Sequence, residues 1–305
     1  MNAFHSKHEL TIGLSPMESA LVLSVFPEGA RIAASHYFDN YNLPCPIKIK
    51  IDTPNGTSQY VVLRKTRHGD VEREENALRL LSQYGLPVPK VLAGPCESRL
   101  VLSLLEGENL QHFSMRSKGH LEKSKRLLIT ALSTLDKVTG DIERETTPDI
   151  IPRHSLMDEL AAIKDQSPWN SEGLFRKAVD VLQPILEKIT TPLVFTNGDY
   201  QPANFLTDGA KITGFVDFEK ACFRDPLMGI AKYPVYDLHP LNKAGFVDSY
   251  LDTREYDRTD FASRLALMCL ITLQREIPVR TTSEGEQTYL THVTHLLKEA
   301  MTTIV

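Results

Sequence analysis

The chain has 305 residues, of which 42% are hydrophobic and 24% are charged, a composition that excludes disordered, collagen-like and coiled-coil proteins. A net charge of −5 provides no overall attraction to nucleic acid or to an anionic membrane, so we expect neither as a partner. The length suits one large domain or two lobes with a substantial core.

The first 105 residues predict a helix followed by a small antiparallel sheet that a second helix interrupts. Ser15, Pro16 and Glu18 form a helix start signal, because serine caps a helix and glutamate at its third position completes the cap. Helical spacing then recurs over 72–84. Short segments rich in β-branched and aromatic residues predict strands at 31–37, 47–52, 59–65, 91–93 and 100–105.

The pattern after Gly107 is mostly helical, and we therefore place the boundary between two lobes at residues 105 and 106. Residues 1–105 carry a net charge of +1 and residues 106–305 carry −6. The fold class predicted by these elements is α+β. Apolar residues at helical spacing predict helices at 121–138, 154–163, 172–189, 260–276 and 286–301.

Two loops of the second half bring together residues that suit phosphoryl transfer. An apolar run ends at Gly198-Asp199, and Asn204 follows five positions later; a second short strand then ends at Asp217. Oxygen ligands such as Asn204 and Asp217 suit Mg²⁺, which is held in kinases by few protein groups plus phosphates. A carboxylate such as Asp199 suits the orientation and deprotonation of an attacking hydroxyl.

These segments resemble the catalytic and metal-binding loops of the aminoglycoside phosphotransferase and choline kinase-like family. The motifs that carry the resemblance read Asn197-Gly198-Asp199, Asn204 and Asp217-Phe218-Glu219, and Asp225-Pro226 resembles a following family motif whose aspartate is structural. The resemblance implies a two-lobed, protein-kinase-like fold with a nucleotide-binding lobe at 1–105 and a catalytic and acceptor-binding lobe at 106–305. It also implies Asp199 as the catalytic residue and Asn204 and Asp217 as magnesium ligands.

The first lobe extends the resemblance to the nucleotide. Arg64 lies where the family has a basic residue that contacts phosphates, with Lys65 as the alternative, and Glu74 lies where a helix glutamate holds that residue. Backbone groups near Ser103 and Leu105 correspond to those that read the adenine edge. The implied activity moves the γ-phosphoryl group of ATP, or of GTP as the alternative, to a hydroxyl of a small molecule, with a cationic aminoglycoside or amino alcohol as candidate acceptors.

Two departures from the family pattern keep other functions open. Asn197 replaces the loop histidine, and residues 38–46, between the first two strands, contain no glycine to cover the phosphates. The alternatives are a catalytically silent kinase-like protein that binds a nucleotide or a partner, and a kinase of homoserine, methylthioribose or choline. The polar N-terminus lacks the apolar run of a signal peptide, so we expect a cytoplasmic protein.

Overall fold

The computed structural model describes residues 12–38, 46–66, 70–164, 168–279 and 283–304. The chain forms two compact units, the first made of the described residues up to Gly107 together with Thr213–Lys220, and the second of Glu108–Ile212 together with the residues from Ala221 onward. The chain thus passes between the units three times, and the functional division at residues 105 and 106 stays a prediction. Most of the glycine-free segment at 38–46 lies outside the described residues.

The sheet of the first unit is antiparallel, as predicted, with the strand order β1-β2-β3-β5-β4. Its first turn after β2 is the Asn-Gly turn, in which Gly56 adopts a positive φ of 81° and the Thr53 N–H donates to the Thr57 carbonyl. The strands are β1 (Arg31–Tyr37), β2 (Ile47–Asp52), β3 (Ser58–Lys65), β4 (Val91–Cys96) and β5 (Arg99–Ser103).

Two helices, α1 (Pro16–Leu23) and α2 (Val71–Gln83), complete the first unit. The predicted cap of α1 is present, because the Ser15 hydroxyl accepts from the Glu18 N–H and the Glu18 carboxylate accepts from the Ser15 N–H. Asp70 caps α2 and places Glu74 among its buried residues. The core below α1 consists of Val22, Ile49, Ile51, Val61, Leu63 and Val101.

The second unit is mostly helical, and the five predicted helices are confirmed within a few residues at each end. Four further helices in the described part of the chain were not predicted, at Leu110–Met115, Thr139–Glu145, Pro226–Val235 and Phe246–Arg254. The prediction at 154–163 began too early because residues 153–154 form a strand. The helices are α3 (Leu110–Met115), α4 (Lys118–Lys137), α5 (Thr139–Glu145), α6 (Leu156–Lys164), α7 (Gly173–Leu186), α8 (Pro226–Val235), α9 (Phe246–Arg254), α10 (Arg258–Glu276) and α11 (Glu284–Ile304).

Short strands connect these helices and carry the loops of interest. β11 pairs with β7 in parallel and with β8 antiparallel, and β6 pairs with β9 antiparallel. None of the helices in the described part of the chain combines the length and apolar character that a membrane span requires. The strands are β6 (Glu108–Asn109), β7 (Arg153–His154), β8 (Val194–Thr196), β9 (Phe205–Thr207), β10 (Ile212–Phe215) and β11 (Cys222–Arg224).

The chain re-enters the first unit along β10. The Phe215 N–H donates to the Pro87 carbonyl over 2.9 Å, and the Thr213 hydroxyl donates to the Glu106 carbonyl over 2.8 Å. These bonds hold the residues that follow β10 within the first unit, where Asp217 contacts Arg64 of β3 and the Phe218 N–H contacts Glu74 of α2.

Candidate active site

Four charged side chains of the first unit, Arg64, Glu74, Asp217 and Glu219, form what we call the Arg64 cluster. The Arg64 Nε donates to Glu74 Oε2 over 3.3 Å, and Arg64 Nη2 donates to Asp217 Oδ1 over 2.5 Å. Glu219 Oε2 lies 3.4 Å from the same Nη2. One guanidinium is thus shared by three carboxylates, two of which come from the predicted Asp-Phe-Glu motif.

Strand alternation explains why Arg64, and not Lys65, is the residue in this cluster. Successive side chains of a strand point to opposite faces, so Leu63 enters the core below α1 while Arg64 points to the other face. Lys65 is exposed at the end of β3. Glu74 reaches Arg64 from the buried side of α2, as the sequence predicted for a basic residue held by a helix glutamate.

The electrostatics of the Arg64 cluster are dominated by its burial and its surplus of carboxylates. Burial alone would lower the pKa of Arg64, but attraction to Glu74, Asp217 and Glu219 raises it above its usual value. Burial raises the pKa of Glu74, with Arg64 opposing the shift and the nearby Asp217 carboxylate adding to it. The cluster joins three carboxylates to one guanidinium, and carboxylate oxygens are ligands that suit a divalent cation.

Asp217 has an unusual backbone conformation that its neighbours hold in place. Its φ of 66° lies in the left-handed region, which residues other than glycine adopt at a cost of about 1–3 kcal/mol. The next N–H, that of Phe218, donates to Glu74 Oε1 over 3.4 Å, so that Glu74 contacts both Arg64 and the Asp217-Phe218 peptide. The Asp217 side chain remains 35% exposed, which leaves it accessible to a ligand.

In the second unit, residues 196–204 form what we call the Asp199 loop. Gly198 has a φ of 80°, and its N–H donates to the Thr196 hydroxyl. The Asn197 side chain is buried and accepts a hydrogen bond from the Asp199 N–H over 3.1 Å. Asn197 therefore braces the loop by hydrogen bonding at the position where the family has its loop histidine.

The two oxygens of the Asp199 carboxylate differ in their surroundings. Oδ2 accepts from Gln201 Nε2 over 3.1 Å. Oδ1 is buried and accepts no hydrogen bond from the described residues, and the Lys232 ammonium lies 3.5 Å away from it. The Asp199 side chain as a whole is 20% exposed, so its carboxylate lies within reach of a bound hydroxyl.

Asn204 lies beside Asp199, as its predicted role requires. It ends a short 3₁₀ helix, Pro202–Asn204, and its Nδ2 donates to the Asp199 carbonyl over 3.0 Å. Because the oxygen of an amide lies opposite its nitrogen, this bond fixes the direction of Asn204 Oδ1, the atom that would bind a cation.

Helix α8 contacts the Asp199 loop through residues that the sequence analysis missed. Lys232 Nζ donates to the Gly198 carbonyl over 3.0 Å, and the Tyr233 hydroxyl donates to the Tyr200 carbonyl over 2.7 Å. The Tyr200 ring packs on Gly229, where an added Cβ would lie 2.3 Å from the ring. The Asp225-Pro226 cap and proline pair was a sequence signal for this helix.

Ser103 and Leu105, predicted near the adenine, lie at the end of β5 and just after it. The Ser103 N–H donates to the Lys90 carbonyl, and the Ser103 hydroxyl accepts from the Lys90 N–H, both over 2.9 Å. The Ser103 N–H is therefore engaged within the first unit, and Leu105 follows the strand as a half-buried residue. Reading of an adenine edge by these two residues stays a prediction.

The structure brings the predicted residues together in two groups. Arg64, Glu74 and Asp217 meet in the first unit, and Asp199 and Asn204 meet in the second. Among the described residues, no three His, Cys, Asp or Glu side chains are arranged to hold a metal ion by themselves. Metal binding here would rely on fewer protein ligands.

Comparison with a known protein family agrees with this arrangement. The family model described as the phosphotransferase enzyme family matches residues 49–262, which is more than half of the chain. The chain belongs to the phosphotransferase enzyme family. It is therefore a small-molecule kinase with a protein-kinase-like fold. No curated protein matches this phosphotransferase in sequence.

Solved structures share the fold of this phosphotransferase at low sequence identity. Aminoglycoside phosphotransferase APH(4)-Ia is 14% identical with a TM-score of 0.67, and the match covers 90% of this chain and 95% of that one. APH(2″)-IIia, solved with GDP and kanamycin, is 14% identical with a TM-score of 0.62 and coverages of 95% and 100%. A choline/ethanolamine kinase family protein from Mesorhizobium loti is 17% identical with a TM-score of 0.56, and 88% of each chain is covered.

Proposed function

We propose that this protein transfers the γ-phosphoryl group of ATP to a hydroxyl of a small molecule in a magnesium-dependent reaction. The observation that carries the proposal is the Arg64 cluster, in which a buried glutamate holds an arginine against the aspartate of the Asp-Phe-Glu motif. A basic strand residue fixed by a helix glutamate is the arrangement with which kinases hold phosphates.

Asp199 is the proposed catalytic base. Its carboxylate would accept the proton of the acceptor hydroxyl while the hydroxyl oxygen forms a bond to the γ-phosphorus and the bond from that phosphorus to the β–γ bridging oxygen breaks. The products are the phosphorylated acceptor, ADP and one proton. The partial exposure of the Asp199 side chain and the hydrogen bonds that hold its loop in place support this role.

Arg64 and Glu74 are the proposed phosphate clamp. The Arg64 guanidinium would contact phosphate oxygens of the nucleotide, and Glu74 would keep it in place from the buried side of α2. The guanidinium suits this task because it remains charged and presents several donors in a planar fork.

Asp217 and Asn204 are the proposed magnesium ligands. The accessible carboxylate of Asp217 and the oriented amide of Asn204 fit a hard divalent cation, which prefers oxygen ligands. When bound, Mg²⁺ would neutralise charge on the phosphates. The chain's contribution is to hold the Asp217 carboxylate and the Asn204 carbonyl in fixed directions.

ATP is the proposed donor, with GTP as the alternative. APH(4)-Ia is solved with ADP and AMP-PNP, and APH(2″)-IIia is solved with GDP. Backbone groups of Ser103 and Leu105 would bind the purine of the nucleotide. Because the Ser103 N–H already donates to the Lys90 carbonyl, Ser103 would contribute its own carbonyl. A nucleotide competition assay decides between the two donors.

The proposed acceptor carries a hydroxyl and a positive charge. The Tyr236 hydroxyl donates to Glu276 over 2.5 Å, and the Tyr236 and Tyr289 ring centroids lie 6.4 Å apart. Burial and the hydrogen bond to Glu276 raise the pKa of Tyr236, and the negative charge of Asp199 adds a smaller rise. Aromatic faces beside carboxylates favour cations. APH(4)-Ia and APH(2″)-IIia are solved with hygromycin B and kanamycin.

The experiment that tests this proposal measures nucleotide consumption with Mg²⁺ and a panel of acceptors, namely hygromycin B, kanamycin, choline, ethanolamine, homoserine and methylthioribose. We expect acceptor-dependent turnover in the wild type and a loss of about 10²–10⁴-fold in Asp199→Asn. Equal turnover in both proteins would reject Asp199 as the base. Nucleotide binding without turnover by any acceptor would instead favour a catalytically silent kinase-like protein.

A further inference from the structure

Helix α8 binds the backbone carbonyls of the residues before and after Asp199. Lys232 Nζ donates to the Gly198 carbonyl over 3.0 Å, and the adjacent Tyr233 hydroxyl donates to the Tyr200 carbonyl over 2.7 Å. The two carbonyls flank the Asp199 residue in the chain. The backbone that carries the proposed base is therefore attached to one turn of a single helix.

The Lys232 ammonium also lies beside the carboxylate itself. Its Nζ is 3.5 Å from Asp199 Oδ1, and the two side chains are only 18% and 20% exposed. Charges that are mostly removed from water interact more strongly than exposed pairs, which contribute little. The same cation thus contacts both the backbone of the loop and the carboxylate that would receive the proton.

Gly229 allows α8 to approach the loop this closely. Residues 229, 232 and 233 lie on one face of a helix, because positions three and four apart are neighbours. A Cβ at Gly229 would lie 2.3 Å from Tyr200 Cδ2, so any larger residue would displace the buried Tyr200 ring. The contact between α8 and the loop depends on all three positions.

We propose that Lys232 is a positioning residue for phosphoryl transfer, which orients the Asp199 carboxylate toward the acceptor hydroxyl by binding both the Gly198 carbonyl and Asp199 Oδ1. This inference rests on the proposed function, in which Asp199 is the base. Lys232 acts through Asp199 and leaves nucleotide binding to other residues. Displacement of a catalytic group by about 1 Å can cost a hundredfold in rate.

The test compares Lys232→Met with wild type in steady-state kinetics, because methionine keeps the length of the lysine stem and removes its ammonium. We expect kcat to fall about tenfold to a hundredfold while the KM for ATP stays within about twofold. In the Asp199→Asn background, Lys232→Met should have little further effect on kcat, because groups that act as a unit are not additive. Ethylammonium should partly restore kcat in Lys232→Ala.

Lys125→Met is the matched control. Lys125 has the same kind of surroundings, since its Nζ donates to the Ala244 carbonyl over 2.9 Å and pairs with Glu122 over 2.9 Å, and its side chain is 13% exposed. It touches neither the Asp199 loop nor the Arg64 cluster in any contact given by the structure. We expect Lys125→Met to have the kcat of the wild type and a similar change in melting temperature to Lys232→Met.

The outcomes separate this inference from the proposed function. Suppose that the wild type turns over and that the kcat of Lys232→Met lies within threefold of the wild-type value, or falls no more than that of Lys125→Met. Either result overturns the role of Lys232 and leaves the proposed function intact. Absence of turnover in the wild type with every acceptor overturns both. If Lys232→Met does not fold, Lys232→Arg and Lys232→Ala are compared instead. Higher activity in Lys232→Arg than in Lys232→Ala supports the role, and equal activity in these two variants overturns it.

Discussion

Two buried arginines of this phosphotransferase pair with carboxylates, and the difference between them separates a ligand site from a structural contact. Arg264 donates from Nε and Nη2 to Asp225 Oδ2, and both side chains are 1% exposed. Its remaining donors bond to Asp260, Ser263 and Thr191, and the other oxygen of Asp225 caps α8. The guanidinium and both carboxylate oxygens of this pair are therefore hydrogen-bonded within the protein.

The Arg64 cluster is built differently. Three carboxylates share one guanidinium, and Asp217 keeps about a third of its side chain exposed. The accessible Asp217 carboxylate can bind a ligand, whereas both members of the Arg264–Asp225 pair are closed to solvent. Accessibility therefore distinguishes the proposed active site from the structural pair.

The largest expected effect is on catalysis at the Arg64 cluster. Asp217→Asn should lower kcat roughly a thousandfold, since a bound metal contributes several kcal/mol to the transition state. The melting temperature should stay within a few degrees, because Arg64 keeps Glu74 and Glu219 as partners. Kinetics over a range of Mg²⁺ concentrations and thermal unfolding check both parts. Turnover within tenfold of the wild type would remove Asp217 from the site.

The matched substitution at the structural pair should do the reverse. Asp225→Asn leaves the Arg264 charge buried without its partner, which should lower the free energy of unfolding by about 3–5 kcal/mol. Asparagine still caps α8, so kcat per folded molecule should change by less than about threefold. Urea unfolding and active-site titration measure the two quantities. A stable but inactive Asp225→Asn protein would contradict the assignment of Asp225 and Arg264 as a structural pair.

A smaller effect concerns pH. Burial raises the pKa of Glu74 and Arg64 opposes the rise, so Arg64→Met should raise that pKa further above 4.5. A carboxyl group whose pKa is raised in the folded state stabilises the fold below its unfolded pKa and loses that contribution as pH rises through the folded pKa. The loss of stability caused by Arg64→Met should therefore be about 1–2 kcal/mol larger at pH 8 than at pH 5.

Urea unfolding of wild type and Arg64→Met at the two pH values measures this difference. The double variant Arg64→Met, Glu74→Gln should abolish most of the pH dependence, because it lacks the carboxyl group concerned. A loss of stability that is equal at both pH values would show that Arg64 does not compensate the Glu74 charge.

The smallest effect is expected at an exposed arginine, which completes the series. Arg258 lies 3.3 Å from Asp248 and 3.2 Å from Asp252, but its side chain is 55% exposed. Arg258→Ala should change the free energy of unfolding by no more than about 1 kcal/mol, and the change should shrink in 0.5 M salt. A larger change in the free energy of unfolding, measured by chemical denaturation, would mean that the exposure of an arginine does not indicate how much its ion pair contributes to stability.

Local signals explain which parts of the fold the sequence predicted. The cap at Ser15 and Glu18, the alternation along β1 to β3 and the spacing in α2 are contained within short segments, and all were predicted closely. Helix α8 was missed although Asp225-Pro226 starts it, because Gly229 and Pro234 disfavour a helix. The reason for Gly229 is the ring of Tyr200, which is distant in sequence.

In the candidate site too, the sequence did not predict contacts between residues that are distant along the chain. Arg64, Glu74, Asp199, Asn204 and Asp217 were found through a motif resemblance and its spacing. Lys232 has no such signal, since it contacts Asp199 across 33 positions and lies in the helix that was missed. The Arg264 partner of Asp225 was hidden for a similar reason, because buried ion pairs between distant segments leave no local pattern.

A calorimetric titration of ATP into the protein with and without Mg²⁺ tests the assignment of the Arg64 cluster directly. We predict that wild type binds ATP more tightly with Mg²⁺, that Asp217→Asn loses this magnesium dependence, and that Arg258→Ala retains it. Binding of ATP that is the same with and without Mg²⁺ in the wild type, or the same magnesium dependence in Asp217→Asn, would contradict the assignment of the Arg64 cluster as the nucleotide and metal site.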